Sequence, residues 1–175
     1  MTRNGGSMKN LQYRMILMMT LAISLIVASA GAADEEKKMP FTIDRPGHLM
    51  VSPPDLKWSD VPSMPPGAKV VVIEGDPKNP APFIFRLKLP SGYKLPVHAH
   101  PTIEHVTVIS GIFNLGIGDK FEPEKANALN PGSIAIMPPG MNMFAYTKEE
   151  TIIQVHGIGP WGLTYLNPED DPRKK

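Results

Sequence analysis

An all-β fold, either a sandwich or a barrel of short antiparallel strands, is the fold class that this sequence predicts. Twenty prolines and fifteen glycines in 175 residues oppose long helices and favour short segments joined by turns. From Gly67 onward the apolar residues come in short runs, and over residues 83–89 they alternate with polar ones. Eight or nine such runs at regular spacing are typical of an antiparallel sandwich or barrel.

The predicted strands follow one another closely along the chain. The first run, residues 70–73, ends at a turn that contains Gly75 and Pro77. Turn residues or a polar loop also separate many of the later runs. These runs cover residues 83–89, 97–100, 104–109, 112–117, 133–137, 143–146, 151–156 and 163–166.

Residues 1–32 have the pattern of an export signal. A basic leader with Arg3, Lys9 and Arg14 precedes an apolar run over residues 15–28, which is shorter than the ~20 residues of a membrane span. Small residues follow as possible cleavage sites. The sequence therefore predicts a periplasmic or secreted protein without a membrane attachment after cleavage; an uncleaved anchor is the alternative.

The remaining chain divides into three predicted parts. Residues 33–66 form a proline-rich, extended N-terminal arm, residues 67–167 form the β-domain, and residues 168–175 form a charged tail that is expected to fray. The arm carries enough apolar side chains to pack either on its own domain or on a neighbouring subunit.

Charge and cysteine content exclude several classes of function. The formal net charge is +1, and no basic stripe with interleaved aromatic residues is present, so nucleic acid is not a predicted partner. The chain has no cysteine, which excludes disulfides, thiolate metal ligands and a cysteine nucleophile. A metal site would have to use other side chains.

The stretch GYKLPVHAHPTIEHVTVISG, residues 92–111, carries a candidate ligand set. Side chains two apart on a strand point the same way, so His98 and His100 project together. Glu104 can turn towards the same point if the chain bends at Pro101. Two neutral imidazoles and a carboxylate form a facial set that suits Fe(II), Mn(II), Ni(II) or Zn(II) and leaves positions open for substrate or water.

The spacing around these residues resembles the first signature of the cupin family. It contains Gly92, five residues, His98, one residue, His100, three residues, Glu104, six residues and Gly111, so that every fixed position is matched.

A second cupin signature is half matched. Gly132, five residues, Pro138, one residue and Gly140 agree with its opening. Met143 then stands where the signature has histidine, and Thr147 stands where it has asparagine.

The resemblance covers about residues 67–167 and implies a conical antiparallel β-barrel of the jelly-roll type, paired into homodimers. It also implies a metal inside the barrel, held by the two histidines and the glutamate of the first signature and by a histidine of the second. The block over residues 155–168 is similar to the end of a group of small, often exported bacterial cupins.

The replacement of the expected histidine by Met143 leaves three alternatives. In the first, the site is complete with His98, His100 and Glu104, and water or substrate fills the open position. In the second, a further residue joins them: His156, which we prefer, or the thioether of Met143, which would favour Cu(I), a less favoured metal here. In the third, the barrel has lost its metal and binds a small ligand.

Arg86 and Tyr146 are further candidates, with Met143, for the substrate pocket. An inward Arg86 could anchor a substrate carboxylate, and a salt bridge to a nearby acid is the alternative. Tyr146 and Trp161 could line the barrel mouth, with core packing as the default for an aromatic residue. His105 has the wrong parity for the metal.

Two classes of function remain. The first is a metal-dependent enzyme, for example an oxygenase, hydrolase or isomerase, that acts on a small organic molecule and uses Glu104 as ligand or base. The second is a non-catalytic module that binds or senses a small ligand or a metal, which the degenerate second signature favours. A purely structural or storage role is opposed by the presence of both histidines and the glutamate at full spacing.

Overall fold

A computed structural model describes residues 49–175, which lie within one compact unit, Met39–Lys175. The predicted export signal and the first part of the predicted arm lie outside the described residues. Within the described part of the chain, no helix has both the length and the apolarity needed to cross a membrane.

Two antiparallel sheets make up this unit, as the all-β prediction requires. The strands are β1 (Ser59–Asp60), β2 (Lys69–Glu74), β3 (Pro82–Leu89), β4 (Lys94–Ala99), β5 (Glu104–Ser110), β6 (Phe113–Ile117), β7 (Asn127–Leu129), β8 (Ile134–Met137), β9 (Met143–Thr147), β10 (Thr151–Ile158) and β11 (Thr164–Tyr165). The large sheet has the order β1-β2-β3-β10-β5-β8, and the small sheet has the order β11-β4-β9-β6-β7.

The hydrophobic core receives side chains from both sheets, and β3 shows how the sequence builds it. Phe83, Phe85, Leu87 and Leu89 are all buried, while the residues between them lie on the outer face of the large sheet. Each fully buried side chain of this size stabilises the fold by about 1.5–3 kcal/mol. The alternation read from the sequence is therefore the pattern that directs one face of β3 into the core.

Glycines with a left-handed backbone make the tight connections of the two signatures. Gly111 has a φ of 72° and lies between β5 and β6. A Cβ atom there would collide with the backbone of Glu150 and Thr151. Gly140 has a φ of 73°, and its amide donates a 2.8 Å hydrogen bond to the carbonyl of His100. This bond joins the second signature to the first.

The connection between β1 and β2 packs against the core of its own domain. Met64 is only 4% exposed. The backbone on either side of it is held by buried tyrosines: the Tyr165 hydroxyl donates to the Ser63 carbonyl at 3.0 Å, and the Tyr93 hydroxyl donates to the Pro65 carbonyl at 2.8 Å.

The prediction that the charged tail frays is wrong. It forms two 3₁₀ turns, Pro168–Asp170 and Pro172–Lys174. The Arg173 guanidinium donates to both carboxylate oxygens of Asp171, at 2.7 and 2.8 Å, and to the Leu163 carbonyl at 3.0 Å. The tail is ordered because this fork of hydrogen bonds ties it to the connection that precedes β11.

Gly111→Ala should destabilise the protein more than Gly92→Ala, although both glycines have a φ of 72°. The left-handed backbone costs an alanine about 1–2 kcal/mol at either position. At Gly111 the added methyl group also meets the backbone of residues 150 and 151, whereas nothing lies within 4 Å of it at Gly92. Thermal unfolding followed by circular dichroism measures both losses, and equal losses would contradict the steric argument.

Candidate metal site

His98, His100 and Glu104 lie in one cavity inside the domain. His98 is on β4, His100 follows its end, and Glu104 begins β5. The three residues are 3%, 4% and 6% exposed, which is rare for such polar side chains. The cavity has a volume of about 30 Å³, and most of its other lining residues are apolar.

Backbone carbonyls select one tautomer for both histidines. The Nδ1 atom of His98 lies 2.7 Å from the carbonyl oxygen of Pro96, and that of His100 lies 2.7 Å from the carbonyl oxygen of Gly162. A carbonyl only accepts, so each Nδ1 carries the proton and donates it. Each Nε2 atom then keeps its lone pair, which is the arrangement found in metal-binding histidines.

Burial keeps both imidazoles uncharged. Desolvation is the main cause that lowers the pKa of His98 to about 3, and the neighbouring His100 lowers it further. Desolvation also lowers the pKa of His100 to about 4. Neutral imidazole is the protonation state that binds metal ions, so neither histidine must lose a proton at neutral pH.

Glu104 shows the opposite shift from the same cause. Desolvation raises the pKa of its carboxyl to about 8. Its Oε1 atom lies 3.5 Å from Nε2 of His100. With these pKa values both groups are neutral at pH 7, so this contact is not an ion pair. A bound cation would favour the ionised carboxylate.

The three side chains share a cavity without forming a closed coordination set. The rings of His98 and His100 have centroids 5.0 Å apart and planes at 77°. Among residues 49–175, no group of three His, Asp or Glu side chains has the arrangement of a preformed metal site. Binding of an ion would therefore require these side chains to move towards it.

His156, the preferred fourth ligand, is not at this site. Ile153 and Val155 of β10 are buried in the core, so His156 points to the outer face of the large sheet. There its ring stacks on that of His105, with centroids 4.8 Å apart and planes at 15°. The expectation that His156 completes the site is wrong, and the interpretation of His105 as lying on the other face is correct.

Two of the three pocket candidates also lie elsewhere. The outward-facing Arg86 donates to the Gln154 side chain at 3.1 Å, so it neither enters the cavity nor forms the alternative salt bridge. Tyr146 also faces away from the cavity, and its hydroxyl donates to the Pro123 carbonyl at 3.3 Å. Met143 does line the cavity, is 1% exposed and pairs with His98 across β4 and β9.

Two further residues, Trp161 and Met64, line the cavity. The sequence does not identify Met64 as a lining residue. The Trp161 ring stacks on His100 with centroids 4.6 Å apart and planes at 16°, and its indole nitrogen is buried without a hydrogen-bond partner. From the sequence, Trp161 is expected to line the barrel mouth or to pack in the core. Met64 comes from the proline-rich connection before β2, where no strand pattern indicates which way a side chain points.

Comparison with solved structures relates this architecture to known proteins. The polyketide cyclase RemF from Streptomyces resistomycificus is similar with a TM-score of 0.58 and 15% identity, over 73% of this chain and 92% of that one. An acetylacetone dioxygenase from Acinetobacter johnsonii has a TM-score of 0.55 and 12% identity, over 73% and 82%. An RmlC-like cupin from Ralstonia eutropha has a TM-score of 0.55 and 19% identity, over 71% and 76%.

These similarities define the fold. No family model and no curated protein matches the sequence. The two-sheet architecture and its structural relatives nevertheless show that the chain has the RmlC-like cupin fold. The resemblance seen in the two signatures is thereby confirmed at the level of the fold. Identities this low leave the reaction open, because one fold carries many chemistries.

In metal-free protein, kept so by a chelator, the stability of Glu104→Gln relative to wild type should increase as the pH rises. The folded wild type keeps the Glu104 proton up to about pH 8, whereas a glutamate in the unfolded chain releases it near 4.5. The contribution of Glu104 to stability is therefore complete below pH 4.5 and is lost as the pH rises through 8. Glutamine does not titrate.

Between pH 6 and 9, the difference in unfolding free energy between Glu104→Gln and wild type should shift by roughly 2–3 kcal/mol in favour of the variant. Urea denaturation at several pH values measures it. Glu149→Gln, which makes the same change at an exposed position, is the matched control. A pH-independent difference for Glu104→Gln would contradict the raised pKa.

Proposed function

We propose that the cavity binds a divalent transition metal, namely Fe, Mn, Ni or Zn, through Nε2 of His98, Nε2 of His100 and the Glu104 carboxylate. The observation that carries the proposal is the pair of hydrogen bonds from the Nδ1 atoms to backbone carbonyls, both 2.7 Å long. They hold two buried imidazoles in the tautomer that leaves Nε2 free. A structural role for these histidines would not require that both be desolvated beside a buried acid.

The chain itself would prepare the site for the ion. The carbonyls of Pro96 and Gly162 orient the imidazoles, and the apolar walls exclude water and strengthen every electrostatic interaction inside. Glu104 would lose its proton on binding and offset one positive charge, or would act as a base towards a bound substrate. The ion would supply Lewis acidity or, if it is iron or manganese, electrons for O₂.

The preferred activity is that of a metal-dependent, dioxygenase-like enzyme acting on a small organic molecule. The names of the structural relatives support this choice, since they include a dioxygenase and a polyketide cyclase. A non-catalytic binding or sensing module is the second candidate. It is favoured by Met143 in place of the fourth histidine.

Wild-type protein loaded with Zn(II) should bind about one ion, and His98→Ala/His100→Ala should lose most of its affinity, because both nitrogen ligands are gone. The matched control is His105→Ala/His156→Ala, which removes the stacked outer pair instead and should bind like wild type. Calorimetric titration and elemental analysis measure affinity and stoichiometry. Equal binding by all three proteins would end the proposal.

The same titration separates the two candidates when it is applied to Met143→His, which restores the second signature. A large gain in Zn(II) affinity would mark the natural site as weakened and favour the module. Unchanged affinity would mean that three ligands suffice, as in catalytic zinc sites with an open position.

We also propose that the protein is exported and forms a homodimer. The basic leader and apolar run of residues 1–32 support export. The outer face of the large sheet supports self-association, because Ile134, Ile136 and Ile158 are 56%, 59% and 65% exposed there.

Full-length chain expressed in a bacterium should be recovered from the periplasm as a dimer that lacks residues 1–32. Intact-mass measurement and sedimentation velocity test the two parts separately. Ile136→Lys should weaken the dimer, whereas Leu166→Lys, at an exposed apolar residue beyond β11, should not. An unprocessed N-terminus would refute export, and a monomeric wild type would refute the dimer.

A further inference from the structure

Two methionine side chains share the cavity with the two histidines. Met143 lies directly across the β4–β9 pairing from His98, and residues paired in this way have Cβ atoms about 4.5–5.5 Å apart. Met64 reaches the same cavity from the connection between β1 and β2. They are 1% and 4% exposed, so both thioethers are inside the domain.

Met64 is held at the cavity by its backbone. The carbonyl before it accepts a hydrogen bond from Tyr165, and the carbonyl after it accepts one from Tyr93. Its own amide donates to the Val61 carbonyl at 3.1 Å. Methionine often fills irregular gaps in a core because its side chain is flexible. Here hydrogen bonds hold the backbone on both sides of Met64, and its side chain lines the cavity that also contains the two histidines.

These donors belong to residues that line one cavity. The cavity has a volume of about 30 Å³, and Met64, Met143, His98 and His100 are among its lining residues. Two imidazole nitrogens and two thioether sulfurs are therefore candidate donors in the same space. Glu104 lines the same space and brings the one carboxyl group of its lining.

This donor set is soft and uncharged. Thioethers select Cu(I) over divalent ions such as Zn(II), and imidazole binds both. Charge acts in the same direction, since transfer of a monovalent ion into an apolar cavity costs less than transfer of a divalent one. Four neutral donors suit an ion that needs little compensating charge.

We propose that Met64 and Met143 make this cavity a Cu(I) site, in which both thioethers join Nε2 of His98 and Nε2 of His100. The inference rests on the proposed binding of a metal ion by His98 and His100, and it differs from the proposed function in the ion, which is soft and monovalent instead of divalent. It adds Met64, which belongs to neither cupin signature, as a ligand.

The test compares Cu(I) with Zn(II) in leucine variants. Met64→Leu and Met143→Leu keep the apolar volume, so the fold should survive, and thermal unfolding checks this. Each should lower Cu(I) affinity by roughly tenfold or more, measured anaerobically against a chromogenic Cu(I) chelator, while Zn(II) affinity changes little. Met137→Leu is the matched control, because Met137 is a buried core methionine that does not line the cavity.

Each outcome supports or overturns the inference. A loss of Cu(I) affinity in both cavity variants, with Zn(II) and the control unaffected, supports it. Unchanged Cu(I) affinity, or equal losses for both ions, overturns it. If the wild type binds Zn(II) through the histidines but not Cu(I), the inference fails and the proposed function stands. If it binds neither ion, both fail.

Discussion

The burial of two histidines and a glutamate in an apolar cavity is the constraint on which the rest of this structure depends. An imidazole without hydrogen bonds in such a place would be costly. The chain meets this requirement with backbone carbonyls, one from Pro96 within β4 and one from Gly162 before β11. The glutamate is desolvated by its burial, which is why the pKa of its carboxyl rises to about 8. A bound cation would favour the ionised form of this carboxyl.

Several elements of the fold converge on His100 to keep it in place. The Gly162 carbonyl accepts from its ring, the Trp161 indole stacks on that ring, and the Gly140 amide donates to its carbonyl. These contacts come from distant parts of the chain, so the site depends on closure of the whole domain. The glycine of the second signature therefore contributes to the site even though the histidine of that signature is absent.

The character of the cavity differs from what the signatures alone imply. Met143 stands where the second signature has histidine, and Met64 lines the same cavity from outside the signatures. The overall fold does not decide this chemistry, since proteins with the same architecture carry names as different as cyclase and dioxygenase. The side chains that line the cavity decide it. The proposed choice of ion therefore follows from the softness and the neutral charge of the donor atoms in the cavity.

Features that depend on local periodicity could be predicted from the sequence. The alternation in β3, the common direction of His98 and His100, and the glycine turns are set by geometry within a few residues. The inward face of β10 could also be predicted from the sequence. Ile153 and Val155 are its apolar pair, and His156 lies on the opposite face together with Gln154. The preference for His156 as a ligand went against this signal, and the structure corrects it.

By itself, then, this sequence determined the all-β class, the positions of its tight turns and the first three members of the candidate site, because strand alternation and left-handed glycines are local properties. Only the tertiary structure decided that Met64 and Trp161 border the cavity and that Arg86, Tyr146 and His156 do not. The reason is physical. Whether a side chain lines the cavity depends on strand register and on contacts between segments far apart in the sequence, and no short-range pattern determines those contacts.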